Sequence, residues 1–278
     1  MGQMAMGIPA MSGYLFYLWR IVATGFCFAM FGIGALVLST LVFPVLGLLS
    51  RDAASRKQNL QYAVHRSFRI FIGLMQVSGM LKLVVEDRAR FAAVRNRLVI
   101  ANHPSLVDVV MLIALFPEMD CIVKAALSQN RFLRGVVHSV GYITNNDPEQ
   151  ALQQCVDCLQ AGRSLLVFPE GTRSRPGEAL HFQRGVANIA VRAGVPITPV
   201  FIEFRGSGLG KGDKWYKIPR HNRLYARLWC GDDLVVPASD EPLPIAARQL
   251  TEYLQQYYQS TLDGKTPGHP AGEVREQS

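Results

Sequence analysis

Hydrophobic and polar positions fall along this chain in three regimes. The first is unbroken: Ile21 to Leu49 carries no charged residue. That is long enough for one helix across a bilayer, which needs about 20 apolar residues. Its Gly25, Gly32, Gly34, Gly47 and Pro44 are residues that membrane helices tolerate. A secretory leader would have a shorter apolar centre and a small-residue cleavage site, so the stretch reads as a retained anchor. Pro44 and the excess length leave a re-entrant hairpin open beside a single span. In the second regime, Tyr62 to Leu81, apolar residues recur at helical spacing with Arg66, Arg69 and Lys82 among them. A helix lying on lipid headgroups and an ordinary core-packing helix share this periodicity, and both readings stay open.

From about Val84 short apolar runs alternate with helical segments. The predicted strands are 82–86, 97–101, 121–124, 142–144, 164–168, 197–204 and 224–229. The predicted helices are 104–116, 131–137, 148–161, 186–193 and 244–261. Such alternation predicts an α/β fold: a largely parallel sheet flanked by helices, here preceded by an N-terminal membrane-anchoring helical segment. Residues 1–83 form the anchor and a possible interfacial helix, 84–262 the α/β domain, and 263–278 a polar tail expected to be disordered.

Charge adds an orientation. The 278 residues include 29 Lys+Arg against 21 Asp+Glu, a net charge of +8. A basic excess fits nucleic acid, an anionic membrane or an acidic substrate, and the apolar N-terminal stretch favours the membrane over nucleic acid. Arg20 alone closely precedes that stretch, whereas Arg51, Arg56, Lys57, Arg66 and Arg69 follow it. The positive-inside rule therefore puts the α/β domain on the cytoplasmic side, where the five cysteines are expected to stay reduced. Cys155 and Cys158 share the apolar face of a predicted helix and read as core residues.

Two polar runs carry the chemistry. Asn102-His103-Pro104-Ser105-Leu106-Val107-Asp108 follows the apolar run 98–101, and Pro169-Glu170-Gly171-Thr172-Arg173-Ser174 follows 165–168. Ligands of open α/β sheets sit beyond the carboxyl ends of strands, so both runs are expected at one crevice. Pro104 keeps His103 out of helical geometry and suits the first position of a helix. With His103 as cap and Asp108 near the end of the first turn, the carboxylate points back at the imidazole. Such a pair holds a histidine as general base, and a substrate that brings its own hydroxyl needs no serine nucleophile. No metal is expected, because one His and one Asp do not make a ligand set. His65, His138, His181, His221 and His269 have no comparable setting. The run Gly206 to Asp213 is not a P-loop and reads, with Lys214, Lys217 and Arg220, as a basic loop.

The spacing of His103 and Asp108, together with Phe168-Pro169-Glu170-Gly171-Thr172-Arg173, resembles the two signature blocks of the glycerolipid acyltransferases, more narrowly the lysophosphatidic acid acyltransferase family. Phe182-Gln183-Arg184-Gly185, Val195-Pro196-Ile197-Thr198-Pro199-Val200 and Lys124 resemble weaker blocks in the same order. The resemblance covers about Leu98 to Val200 and implies a membrane-bound O-acyltransferase. It would move a fatty acyl group from acyl-CoA or acyl carrier protein (acyl-ACP) to a lyso-lipid hydroxyl, with no bound cofactor. It implies that His103 is the base and Asp108 its partner, and that Glu170, Gly171, Thr172, Arg173, Lys124 and Arg184 face substrate. The alternatives are a lysophosphatidate acyltransferase of ordinary phospholipid synthesis and a non-catalytic lipid-binding adaptor, and an oriented base argues against the adaptor. One block departs: Gly141-Tyr142-Ile143-Thr144-Asn145-Asn146-Asp147 lacks the arginine that the family usually carries there. An asparagine cannot grip phosphate with two parallel charge-assisted bonds, so an acceptor less anionic than lysophosphatidate is expected.

Overall fold

The α/β domain is laid down around a sheet whose central strands are apolar on both faces. The computed structural model describes residues 8–175, 177–206, 209–210, 223–236 and 241–264. The expected basic loop through Lys214, Lys217 and Arg220 lies outside the described residues, as does the tail from residue 265. The strands are β1 (Leu81–Val85), β2 (Leu98–Ala101), β3 (Asp120–Val123), β4 (Ile143–Thr144), β5 (Leu165–Val167), β6 (Ile197–Arg205) and β7 (Leu224–Cys230). They lie in the order β1-β7-β6-β2-β5-β3-β4. All neighbouring pairs are parallel except β6 and β7. Side chains alternate between two cores, as strand geometry requires. Val99 and Ala101 face one core with Leu166 and Ile202, while Leu98 and Ile100 face the other with Leu165 and Phe201.

The helices divide accordingly. The second core is capped by α8 (Pro148–Gln160), α9 (Arg184–Ala193) and α10 (Leu243–Leu262), through residues such as Cys155, Ile189 and Tyr258. Cys155 and Cys158 are both buried there, as their helical face predicted. Tyr258 donates its hydroxyl to Ile100 O at 2.5 Å and accepts Val200 N–H at 3.2 Å, beside Pro199, which has no N–H of its own. The first core is covered by α1 (Ile8–Val37), α2 (Phe43–Leu49), α3 (Ala53–Val77), α5 (Asp108–Ile113) and α7 (Arg134–Val140). Short helices α4 (Arg88–Ala93) and α6 (Ala125–Gln129) were not expected from the sequence; at about one turn each they show too little periodicity to recognise.

The apolar stretch is one nearly continuous helical run. α1 passes through a π-helical turn at Leu38–Val42 directly into α2. Pro44 follows the π-helical turn directly, at the start of α2, and does not reverse the chain. The reversal falls at Ser50–Asp52, and Asp52 then caps α3 by accepting Ser55 N–H. α3 returns alongside: Trp19 donates to Ser78 O at 3.2 Å near one end, and Gly47 lies against Arg56 near the other. One face of the run, with Ala23, Cys27, Ala35, Leu38 and Phe43, is buried. The opposite face exposes Leu15, Trp19, Val22, Phe26, Ile33, Leu41 and Leu48. Helix α3 has one buried and one exposed face, as a core-packing helix requires. Leu60, Val64 and Ile72 pack inward, while Tyr62, Arg66, Arg69, Ile70 and Val77 form an exposed face. Lys57, one turn into α3, pairs with buried Asp120 at the start of β3 at 2.7 Å, and Arg163 pairs with the same carboxylate at 2.6 Å. The helical layer is thereby fixed to the sheet.

Candidate active site

β2 and β5 are parallel neighbours, paired from Leu98↔Leu165 to Ile100↔Val167. The two polar runs therefore leave the sheet side by side at its carboxyl edge. Asn102 acts as a side-chain extension of the ladder: its amide donates to Ile202 O and accepts Ile202 N–H, both at 2.8 Å. That contact fixes the backbone just before His103.

His103 Nδ1 lies 2.9 Å from Asp108 Oδ2. The pairing arises differently from the sequence expectation. Helix α5 begins at Asp108, not at Pro104, and Val107 rather than His103 occupies its cap. The residues between form a turn closed by side chains. Ser105 N–H donates to Asp108 Oδ2 at 2.6 Å, and the Ser105 hydroxyl donates to Asp108 Oδ1. Serine and aspartate compete with the helical ladder in this way, which shortens the helix and curls the loop back. Asp108 and Ser105 are wholly buried. Burial pushes the Asp108 carboxyl above the usual carboxylate range, while the hydrogen bonds from His103 and Ser105 pull it down. With Asp108 ionised, Nδ1 carries the proton and Nε2 is left to take one from a substrate.

The second run clamps the first. Glu170 Oε1 accepts His103 N–H at 2.9 Å, and Ser174 N–H donates to His103 O at 2.8 Å. The Ser174 hydroxyl donates to Glu170 Oε2 at 2.5 Å. Phe168 lies against the imidazole, ring centroids 4.3 Å apart. Glu170 is thus a buried brace rather than an exposed substrate ligand, a correction to the sequence reading. Nor does it pair with Arg173, whose guanidinium donates to Gly210 O at 2.7 Å and Leu209 O at 3.2 Å. Leu209 O also accepts Leu106 N–H, so the loop after β6 is tied to both runs. The sequence did not reveal the parts played by Ser105, Asn102 and these carbonyls. Ser105 had a legible signal, a hydroxyl three residues before a carboxylate.

A cavity of about 930 Å³ opens beside the pair, lined by His103, Gly171, Arg173 and Lys124. Away from them its walls turn apolar, with Phe28, Phe31, Phe68 and Phe71 on the side of α1 and α3. Gly171 has φ +64°, a conformation that favours glycine, and its backbone faces the space. Of the other expected contacts, Thr172 is half-buried and Arg184 exposed, and neither lines the cavity. Arg184 instead opens α9, with Gln183 as cap. Asn145 does line the cavity, but its side-chain oxygen is used by Ala125 N–H at 3.0 Å. Asp147 caps α8 through the N–H groups of Glu149 and Gln150.

Comparison with known proteins shows what this part of the chain is similar to. Residues 82–203 match the family model described as Acyltransferase. A 1-acyl-sn-glycerol-3-phosphate acyltransferase of Chlamydomonas reinhardtii is 32% identical over 119 residues, 41% of this chain and 36% of that protein. The human 1-acyl-sn-glycerol-3-phosphate acyltransferase beta is 30% identical over 144 residues, 49% of each chain. The match thus spans half or less of the length of these relatives. The crystal structure of the 1-acyl-sn-glycerophosphate acyltransferase PlsC from Thermotoga maritima superimposes with a TM-score of 0.56 at 21% identity, covering 89% of this chain and 96% of that one. That likeness establishes a shared fold. The matched segment runs from β1 into β6 and contains both polar runs, so the part of the chain that carries the site is similar to the acyltransferase family.

Proposed function

We propose that the chain is a membrane-bound O-acyltransferase that acylates the free hydroxyl of a lyso-lipid. The observation that carries this is the buried-carboxylate–histidine pair at the mouth of a large apolar cavity, with no protein nucleophile required between them. His103 Nε2 takes the proton as the acceptor oxygen attacks the thioester carbonyl. The new C–O bond forms, the C–S bond breaks, and the imidazolium returns its proton to the leaving thiolate. Asp108 fixes the tautomer and stabilises the imidazolium. The donor is an acyl thioester on coenzyme A or acyl carrier protein, and no bound cofactor enters the reaction. Lys124 and Arg173 are the cations lining the cavity among the described residues, and they suit an anionic part of either substrate.

The printed names of the relatives point to 1-acyl-sn-glycerol-3-phosphate as acceptor. A second reading, a less anionic lyso-lipid, is favoured by Asn145 and Asp147, which stand where the family usually places an arginine and are engaged as caps. The exposed apolar face of α1 and α2 is the membrane contact. The α1–α3 hairpin closes on itself at Trp19–Ser78 and is held to the sheet at Lys57–Asp120, which supports a reading in which that face lies along one leaflet. We read that leaflet as the cytoplasmic one, because the basic residues Arg51, Arg56, Arg66 and Arg69 suit its anionic headgroups.

The test is a competition assay in vesicles with one acyl thioester and several lyso-lipids, run with the wild type and His103→Ala. Acyl transfer that disappears in the variant supports the proposal. Lysophosphatidate giving the highest kcat/KM selects the first acceptor reading, and a neutral or zwitterionic lyso-lipid winning selects the second. Near-normal transfer by His103→Ala would sink the mechanism.

A further inference from the structure

Between β3 and β4 the chain carries no acidic residue from Cys121 to Asn146, but it carries Lys124, Arg131, Arg134 and His138. Within this stretch two large apolar side chains are turned outward: Leu127 is 38% exposed and Phe132 44%. The Arg131 guanidinium sits 5.7 Å from the Phe132 ring centroid, and Arg131 and Arg134 are both exposed. Apolar tips among cations, with no acid nearby, suit the boundary between lipid headgroups and acyl chains better than the surface of a water-borne partner.

The position of this segment adds two constraints. On one side it borders the catalytic cavity, which Lys124, Leu127, Asn130 and Leu133 line. On the other it meets the apolar helical run: a Cβ at Gly135 would stand 2.5 Å from Ser39 Cβ. Ser39 lies in the π-helical turn, between the exposed Val37 and Leu41. The exposed Phe132 thus lies three residues from the point where α7 packs on the apolar run and between the cavity-lining Asn130 and Leu133.

We propose that residues 124–134 are a second membrane contact, in which Leu127 and Phe132 enter the bilayer surface, Arg131 and Arg134 hold anionic headgroups, and the cavity mouth opens onto the lipid from which the acceptor comes. The proposal rests on the reading that α1 and α2 lie in one leaflet. It gives the acceptor a path into the site without leaving the membrane.

Full-length protein in phosphatidylcholine vesicles containing phosphatidylglycerol provides the test. Nitroxide labels are placed at Phe132→Cys, at Val22→Cys on the exposed face of α1, and at Gln153→Cys on α8 as a water reference. The native cysteines are buried or half-buried, and unsubstituted protein gives their background. Oxygen reports lipid exposure and a water-soluble nickel chelate reports solvent. Labels at both Val22 and Phe132 reached by oxygen and shielded from nickel support the proposal. A lipid-immersed Val22 label with a solvated Phe132 label overturns it and leaves the anchored enzyme intact, and two solvated labels overturn both. A kinetic arm uses the triple variant Arg131→Glu, Phe132→Ser and Arg134→Glu, at positions that do not line the cavity. KM for a lyso-lipid in these vesicles should rise about tenfold or more, the scale of losing two cationic headgroup contacts. kcat/KM for a short-chain, monomeric acceptor should stay unchanged. An unchanged vesicle KM, or an equal loss with both acceptors, overturns the proposal.

Discussion

The two polar runs at the carboxyl edge of the sheet look equally rich as sequence, yet they are wired differently. In the first, the residues read as partners are partners: His103 and Asp108 meet at 2.9 Å. In the second, Glu170 and Arg173 turn away from each other. Glu170 reaches back to His103 N–H, and Arg173 reaches across to the carbonyls of Leu209 and Gly210. On the proposed mechanism the first run supplies the chemistry, and the second holds the first in position. A motif therefore indicates which side chains gather at a site more reliably than which of them touch one another.

Removing the base tests this contrast most severely. His103→Ala should lower kcat by ~10²–10⁴-fold, the range for a positioned acid–base group. Thermal stability should barely move, because the loop is held by backbone contacts to Glu170 and Ser174. Asp108→Asn should lose comparable activity through the wrong tautomer while its melting temperature holds or rises, since it removes a charge from a fully buried position. Steady-state kinetics beside a thermal melt separates the effects. A large drop in stability with either variant would mean that the first run is structural too.

Glu170 gives a smaller and more selective effect. Glu170→Ala should reduce kcat roughly 10- to 100-fold by letting the His103 loop shift, with little change in acceptor KM. Glu170→Gln should restore most of the rate, because an amide still accepts His103 N–H and can donate to the Ser174 hydroxyl. If Glu170→Gln instead raises acceptor KM at unchanged kcat, the carboxylate binds substrate and the division of labour between the runs fails.

What the sequence revealed follows from physical range. The strands were legible because a strand buried between two cores is apolar on both faces, which leaves short unbroken apolar runs such as Leu98 to Ala101. The crevice was legible because adjacent parallel strands deliver their next residues to one edge. The helix start at Asp108 was misplaced because propensity at Pro104 says nothing of a side-chain turn at Ser105. Pro44 and the excess length left a hairpin open beside a single span, and the reversal lies at Ser50–Asp52, where Asp52 caps the returning helix. The bonds of Arg173 to Leu209 and Gly210 span 36 and 37 positions, and no local pattern encodes contacts that distant. Arg184 was expected at the substrate from resemblance alone, and it lies exposed at the start of α9, outside the cavity lining.

The smallest effect concerns acid stability, where a buried base and the catalytic carboxylate oppose each other. His65 is buried in α3, its Nδ1 2.9 Å from Ile113 O, so that nitrogen carries the proton. Burial lowers its pKa, with Arg69 and Arg66 adding to the shift and the carbonyls of Ile113 and Phe116 opposing it. A base lowered in the folded state binds its proton more readily once unfolded. Its contribution to stability is therefore complete above the ordinary imidazole value of about 6.5 and is lost as pH falls from there toward the folded-state value. Asp108 has the opposite sign: a carboxyl raised by burial costs stability as pH rises from the ordinary aspartate value of about 3.9 through its folded-state value. The wild type should thus show a muted decline in melting temperature between about pH 7 and pH 5, over the His65 window. His65→Asn keeps a donor for Ile113 O and cannot titrate, so it should flatten that decline with little change at pH 7.5 or above. Parallel curves for His65→Asn and wild type would show that His65 does not set the acid slope.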